Sequence, residues 1–341
     1  MWKTVLASLA AFVAVVGTVW IVARAHSDQG NKVELLNVSY DPTRELWKEL
    51  NDRFIAQYEK DKGVKLVIKQ SHGGSSAQAR AVIDGLEADV VTLAIPADID
   101  AIRKKELIAA DWEKRLPNNS LPYHSTIVFV VRKGNPKGIK DWSDLAREGV
   151  QIITPNPKTS GNGKLSFLAA WGSAIKAGKS EADAKEFVRK LYSKVPVLDS
   201  GARGSTVTFA QKNIGDVHLT WENEAHLELK EFGGELEIVY PLSSILAEPK
   251  VAWVDANVKK KGTREAAEAY LKFLYTDEGQ EILARHYYRP SKPEVLKKHA
   301  DTLKPLELFP VTVVARDWDD AFKKFFSDGG VFDAIYQPSG K

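Results

Sequence analysis

The pattern of apolar and polar positions repeats one unit at least three times: an apolar run, a Gly/Ser-rich turn and a stretch of helical periodicity. The units are VKLVIKQ-SHGGSS-AQARAVIDGLEA, VQIIT-PNPKTSGNGK-LSFLAAWGSAIKAG and VPVLDS-GARGS-TVTFAQKNI. Strands that alternate with helices predict an α/β fold with mainly parallel sheets. In open sheets of this kind, ligands bind beyond the carboxyl ends of the strands. The three turns are therefore predicted to form one shared site, although each turn alone is typical of an ordinary capped helix start.

The second turn ends in Gly163 and Lys164, which raises the question of a nucleotide-binding loop. That motif needs a glycine at position 158 and a hydroxyl after the lysine, but Lys158 and Leu165 stand there instead. Free N–H groups at a helix start still attract anions, so the turn around Ser160 is predicted to hold an anion other than a nucleotide phosphate.

Two extended stretches flank the second and third units, at 125–135 and 247–258. They predict a hinge between two lobes: lobe I from 33–125 plus 251–290, and lobe II from the inserted residues 126–250. The remaining residues, 291–341, are predicted to pack as a C-terminal segment across both lobes. This is the layout of a hinged binding protein.

Residues 1–25 have one early lysine, an uncharged stretch from Val5 to Ala23 and the small-residue site ARA. This pattern predicts an export signal cleaved near Ala25; the alternative is an uncleaved membrane anchor, because the stretch could just span a bilayer. The chain has no cysteine, and therefore neither a disulfide nor an acyl attachment site for a lipoprotein. The mature protein is predicted to be soluble in a bacterial periplasm.

Composition excludes several functions. Length predicts about two domains, and 48 basic against 45 acidic residues leave no broad basic field for nucleic acid. The seven histidines show no metal-ligand spacing, and no cysteine is available, so neither a metal site nor a cofactor is expected.

A family resemblance covers nearly the whole mature chain and is carried by the segments LLNVSYDPTREL, QSHGGS, GLEADVVTLA, STIVFVVRKGNPK, DWSDL, ITPNPKTSG, LAAWG, VLDSGARGST, IGDV, WENEA, SILAEP and YLKFLYTDEGQEI. With these segments the chain resembles the periplasmic sulfate-binding proteins of ABC importers. The resemblance implies a type II periplasmic-binding fold, in which two α/β lobes close over one dehydrated sulfate and present it to a membrane permease. It also implies a monomer that is not an enzyme.

Donors without charge would hold the sulfate, according to this resemblance. Ser75 would give its N–H and hydroxyl, and Ser160 its hydroxyl; the other donors would be the N–H groups of Gly161, Asn162 and Ala202 and the indole N–H of Trp221. Three further residues would lie behind these contacts and form hydrogen bonds to the peptide units that touch the ligand: Asp41, His72 and Arg203. Asn162 departs from the family pattern, which has a glycine there, so its backbone angles decide whether its N–H can serve.

Sulfate at neutral pH carries no proton, so a site made only of N–H and O–H donors suits it. Thiosulfate, molybdate and tungstate remain alternative ligands, and a receptor that signals its closure to a sensor remains an alternative role. An exported hydrolase with Ser75 or Ser160 as nucleophile is a further alternative. However, neither serine lies in GxSxG or SxxK, which argues against it.

Overall fold

The structure is a computed structural model, and it describes residues 32–336. The predicted signal sequence lies outside the described residues. Within that range, no helix is both long and apolar enough to cross a membrane.

Two four-stranded sheets form the centres of two α/β lobes. The first sheet has the strand order β10-β3-β1-β2 and the second has the order β6-β7-β5-β8. The strands are β1 (Lys32–Tyr40), β2 (Lys65–Gly73), β3 (Val90–Thr92), β4 (Tyr123–His124), β5 (Ile127–Arg132), β6 (Ile152–Ile153), β7 (Val217–Trp221), β8 (Leu236–Val239), β9 (Ser243–Ile245), β10 (Val251–Trp253), β11 (Arg289–Pro290) and β12 (Glu307–Phe309).

Helices cover the sheets, and three of them begin at the Gly/Ser turns. The helices are α1 (Arg44–Lys62), α2 (Ser75–Ile83), α3 (Pro96–Arg103), α4 (Gly161–Lys176), α5 (Glu181–Tyr192), α6 (Ala202–Thr206), α7 (Glu222–Glu231), α8 (Asp255–Lys261), α9 (Arg264–Phe273), α10 (Asp277–Arg285), α11 (Pro293–Lys298), α12 (Trp318–Ala321) and α13 (Val331–Ile335). Shorter 3₁₀ and π turns lie at Asp41–Thr43, Trp112–Lys114, Trp142–Ala146, Val207–Gln211, Val311–Val313 and Phe322–Phe326.

The first lobe is held by aromatic packing between α1 and α9. Trp47 and Phe54 of α1 bury their rings against Tyr270 of α9, with ring centroids 5.3 and 5.2 Å apart. In its sheet, β1 runs parallel to β2 and β3, and only the edge strand β10 is antiparallel. The carboxyl ends of β1 and β2 therefore point to the same edge, where Tyr40 and Gly73 stand.

The sheet of the second lobe also contains one strand that runs against the others. Its strand β5 is antiparallel to both of its neighbours, β7 and β8, whereas β6, β7 and β8 share one direction. The reason is the hinge: β5 leaves it and β8 returns towards it, so the two strands run in opposite directions. The two-lobed α/β architecture is confirmed, and β7 still ends at the hinge side, where Trp221 pairs with Ile127.

The two predicted crossings meet at the hinge. Ser125 and Ala247 form an antiparallel bridge, with N–H to oxygen distances of 3.1 and 2.9 Å between their peptide groups. This contact joins the strands on which one lobe could rotate against the other. It agrees with the predicted lobes, whose boundaries remain a prediction.

The C-terminal segment contacts both lobes. Its strand β12 pairs with β9, and Phe325 and Phe332 pack against Phe167 in the core of the second lobe. Lys104, directly after α3, forms an ion pair with Asp319 of α12, which ties the segment to the first lobe. The segment therefore lies beside the cleft and makes its main hydrophobic contacts with the second lobe.

Candidate anion-binding site

A small cavity between the lobes brings the three Gly/Ser turns together. It measures only about 10 Å³, far below the roughly 300–1,000 Å³ of pockets for larger organic ligands. Its lining residues are Tyr40, Asp41, Pro42, Gly73, Gly74, Ser75, Ser160, Gly161, Asn162, Ala202 and Trp221. All six residues predicted to bind the ligand line this cavity, so the structure brings the three turns together in one place.

The wall from the first lobe is the start of α2. Gly74 is the N-cap and Ser75 the first helical residue, so the N–H of Ser75 has no intrahelical partner. The Ser75 hydroxyl differs from the expectation: it donates to Asp98 and accepts from the N–H of Ala94 at 3.0 Å. A hydroxyl has one proton, so here the N–H of Ser75, and not its hydroxyl, is the available donor.

The start of α4 supplies donors from the second lobe. Ser160 is the N-cap, and its oxygen accepts from the N–H of Gly163 at 3.4 Å. Capping uses a lone pair, which leaves the hydroxyl proton free to donate into the cavity. The N–H groups of Gly161 and Asn162 precede the first intrahelical bond, which runs from Lys164 to Ser160.

Asn162 occupies an ordinary helical position. It lies within α4 and does not have a positive φ. Its N–H therefore has the ordinary helical orientation without a glycine at this position. Its side-chain amide donates to the carbonyl of Leu219 at 3.0 Å. The side chain is thus anchored to β7, and the departure from the family pattern leaves the main-chain donor in place.

Trp221 places a buried hydrogen-bond donor at the cavity. Its side chain is completely buried beside Tyr40, with ring centroids 5.2 Å apart. Its indole N–H has no hydrogen-bond partner among residues 32–336. A buried donor without a partner is costly unless a ligand or water satisfies it. Nearby, Ala202 begins α6 and adds another first-turn N–H.

No lysine, arginine or histidine is among the described residues that line the cavity. The positive ends of α2, α4 and α6 converge there instead. Asp41 is the only carboxylate in the lining, and Arg44 holds it at 2.8 Å. The electrostatics of the cavity therefore favour an anion that needs hydrogen-bond donors.

Arg203 behaves differently from its predicted role. Its guanidinium forms an ion pair with Glu45 of the first lobe at 2.6 Å and lies 2.9 Å from the carboxyl group of buried Glu224, which gains its charge only as the pH rises. Burial acts to lower the pKa of Arg203, but the neighbouring acidic groups outweigh it and raise that pKa. Arg203 thus links the two lobes by charge and makes no bond to the peptide units that line the cavity.

His72 also lies behind the cavity, on β2. Burial and the neighbouring Arg44 lower its pKa, so the imidazole is neutral at physiological pH. Its Nδ1 is buried without a partner among the described residues, and its carbonyl accepts from Arg44 at 3.3 Å. His72 therefore supplies no charge to the site.

The sequence reasoning missed a buried polar cluster beside the cavity. Asp98 accepts hydrogen bonds from Ser75 and Ser76, and the ammonium of Lys164 donates to Ser76 at 2.5 Å from the other lobe. Burial lowers the pKa of Lys164, while Asp98 acts to raise it. The Gly-Lys pair at 163–164 gave a signal for Lys164, but no motif marks Asp98.

A larger cavity of about 950 Å³ lies elsewhere, between α5 and the end of the described chain. Its lining includes Tyr192, Val195 and Tyr336, and none of the predicted site residues. Tyr336 in its lining is the last described residue. The small cavity between the lobes therefore remains the candidate site.

Two hinged lobes around a donor-lined cavity define the chain as a solute-binding protein. A family model described as bacterial extracellular solute-binding protein matches residues 43–289. The chain belongs to this family, in the group of the sulfate- and thiosulfate-binding proteins. Such proteins bind solutes without converting them, which confirms the prediction that the chain is not an enzyme.

Individual relatives support this assignment. A sulfate-binding protein of Escherichia coli is 54% identical over 322 residues, which are 94% of this chain and 98% of that protein. A thiosulfate-binding protein of Pseudomonas aeruginosa is 54% identical over 307 residues, 89% of this chain and 92% of that protein. The solved structure of the sulfate-binding protein SubI from Mycobacterium tuberculosis superimposes with a TM-score of 0.79 at 30% identity, covering 86% of this chain and 100% of that one.

Proposed function

We propose that the chain binds sulfate between its lobes and delivers it to the membrane permease of an ABC importer. The observation that carries the proposal is the buried indole N–H of Trp221, which lacks a partner and lines the same cavity as three helix starts. Sulfate offers only acceptors, so it can pair with every one of these donors. The N–H of Ser75 lies on one lobe and the other donors on the second, so binding favours the closed arrangement.

Thiosulfate is the second candidate ligand. It is also a dianion without a proton at neutral pH, and relatives named for sulfate and for thiosulfate are both 54% identical to this chain. The donors of the cavity serve both anions. Competition between the two at one site is the expected behaviour.

Transport tests the delivery step directly. The chain is expressed in a bacterium that lacks its own sulfate- and thiosulfate-binding proteins but keeps the importer, and uptake of radioactive sulfate is followed. Restored uptake is expected. If the purified protein binds sulfate but uptake stays at the background level, the binding part of the proposal stands and delivery to this importer is wrong.

The proposal places the mature protein in the periplasm after cleavage near Ala25. Protein recovered by osmotic shock is expected to begin at or near His26, because the small residues of ARA precede that position. Intact-mass measurement of the shock fluid and of the membrane fraction checks this. A chain that retains Met1 in the membrane fraction would show that the segment is an anchor.

The ionisation of Glu224 should make sulfate binding weaken at alkaline pH. Burial raises the pKa of Glu224 to about 8, although Arg203 acts to lower it. The carboxyl is therefore mostly neutral below about pH 7 and gains a negative charge behind the cavity as the pH rises. A dianion binds better when Glu224 is neutral. The affinity for sulfate is therefore expected to be flat from about pH 5 to 7 and to fall several-fold by about pH 9. This fall is smaller than the tenfold change that corresponds to one pKa unit.

Calorimetric titration with sulfate at a series of pH values measures this. Glu224→Gln, which cannot ionise, is the matched control and should remove the decline. A decline that is identical in the Gln variant would assign the effect to another group.

A further inference from the structure

Gly74 lies at a close contact between the two lobes. A Cβ atom added to it would lie 2.5 Å from the carbonyl oxygen of Thr159 and 3.2 Å from that of Ser200. Gly74 belongs to the first lobe, whereas Thr159 and Ser200 stand in two turns of the second. Both obstacles are backbone atoms, which cannot rotate away as a flexible side chain can.

Two further glycines show the same close approach from the second lobe. A Cβ at Gly161 would lie 2.4 Å from the Cβ of Ala94, and a Cβ at Gly201 would lie 2.4 Å from a carboxylate oxygen of Asp41. Gly161 is itself a proposed donor, and the Asp41 side chain can move. Gly74 is therefore the position at which the steric effect can be separated from ligand contacts.

The backbone of Gly74 does not itself require glycine. Its φ of −58° and ψ of 131° are ordinary for alanine. A residue with a Cβ thus fits the first lobe without strain, and what it would disturb is the approach of the second lobe. The lack of a side chain at Gly74 therefore allows the two lobes to come into contact there.

We infer that Gly74 determines how far the lobes can close, and thereby which size of tetrahedral dianion the cavity can enclose. The inference rests on the proposed function. A Cβ would have to move from 2.5 Å to an ordinary contact distance from the Thr159 oxygen, which separates the lobes by roughly 1 Å at this point. The Ser75 donor would then retreat from Ser160, Ala202 and Trp221. Sulfate would lose contacts on one side, whereas molybdate, whose metal–oxygen bonds are longer, would lose fewer.

Titration calorimetry of Gly74→Ala with sulfate and with molybdate tests this. Sulfate affinity is expected to fall at least tenfold, and the ratio of molybdate affinity to sulfate affinity to rise at least tenfold over the wild-type ratio. Gly233→Ala is the control, because its Cβ would meet only the Leu229 oxygen at 4.0 Å, and its ratio should equal that of the wild type. An unchanged ratio in Gly74→Ala, or an equal loss for both anions, would overturn the inference.

A second variant guards against a folding defect. Gly74 is the N-cap of α2, a position where serine is preferred over alanine. Gly74→Ser adds the same Cβ while supporting the helix start, so it should show the same change in ratio. If Ser restores wild-type selectivity, the effect of Ala belongs to the helix cap and the inference is wrong.

Closure can be measured separately from selectivity. The chain has no cysteine, so Lys48→Cys and Lys185→Cys, exposed on α1 and α5 of the two lobes, can carry spin labels without background. In saturating sulfate the wild type should show the shorter distance, and Gly74→Ala a longer one. Identical distances would overturn the inference. Failure of the wild type to bind sulfate would instead refute the proposed function. The spin-label distances would then be compared in the presence of thiosulfate or molybdate, depending on which of the two anions the protein binds.

Discussion

Replacing Trp221 with phenylalanine is expected to weaken sulfate binding roughly 10- to 150-fold. Phenylalanine keeps an aromatic ring beside Tyr40 but removes the indole N–H, the buried donor that has no other partner among the described residues. A hydrogen bond to a charged group contributes about 1.5–3 kcal/mol, and each 1.4 kcal/mol is tenfold in affinity. Titration calorimetry with sulfate measures the loss.

Trp171→Phe is the matched control for this variant. Trp171 is also buried in the second lobe, and its indole N–H likewise lacks a partner among residues 32–336. It packs against Phe167 and Phe325, away from the cleft. Its replacement should therefore leave the affinity for sulfate unchanged. An equal loss in both variants would attribute the effect to packing in the lobe and not to a ligand contact.

Phosphate is expected to bind more weakly than sulfate near neutral pH, by about 5- to 150-fold or more. Phosphate then carries at least one proton, which needs an acceptor. The N–H and O–H groups of the cavity cannot act as that acceptor. Asp41, the only carboxylate in the lining, already accepts a hydrogen bond from Arg44. Leaving the phosphate O–H unpaired costs about 1–3 kcal/mol or more, and sites that pair a ligand completely reject mismatched analogues strongly.

Competition of phosphate against radioactive sulfate in equilibrium dialysis measures this selectivity. Asp41→Asn identifies the cause if selectivity is poor. Comparable binding of phosphate and sulfate would contradict a cavity of donors only. A return of selectivity in Asp41→Asn would then point to that carboxylate as the acceptor of the phosphate proton.

The sequence predicted the parts of the site that depend on local chain geometry. A Gly/Ser turn between an apolar run and a helical pattern marks a helix N-terminus, and α2, α4 and α6 begin as those turns indicated. Because such turns follow strands, their meeting at one edge follows from the topology of α/β sheets. The pattern of the sequence therefore predicts that the three turns share one site, whereas the individual donors followed from the resemblance to the sulfate-binding proteins.

What escaped the sequence depends on contacts between distant segments. The bond from the Ser75 hydroxyl to Asp98 joins residues 23 positions apart, and the segment around Asp98 has no distinguishing pattern. The ion pair between Arg203 and Glu45 spans the two lobes and 158 positions. An apolar run also indicates a strand without its direction, so the antiparallel setting of β5 became visible only with the hinge.

The indole N–H signal of Trp221 in a two-dimensional NMR spectrum tests the central claim most directly. The chain has nine tryptophans, and the Trp221→Phe and Trp171→Phe variants identify their signals by loss. On saturation with sulfate the Trp221 signal should move downfield, as expected for a donor that gains an anionic acceptor, while the Trp171 signal stays in place. A Trp221 signal that does not move, in a sample that calorimetry shows to be saturated with sulfate, would contradict binding of sulfate in this cavity.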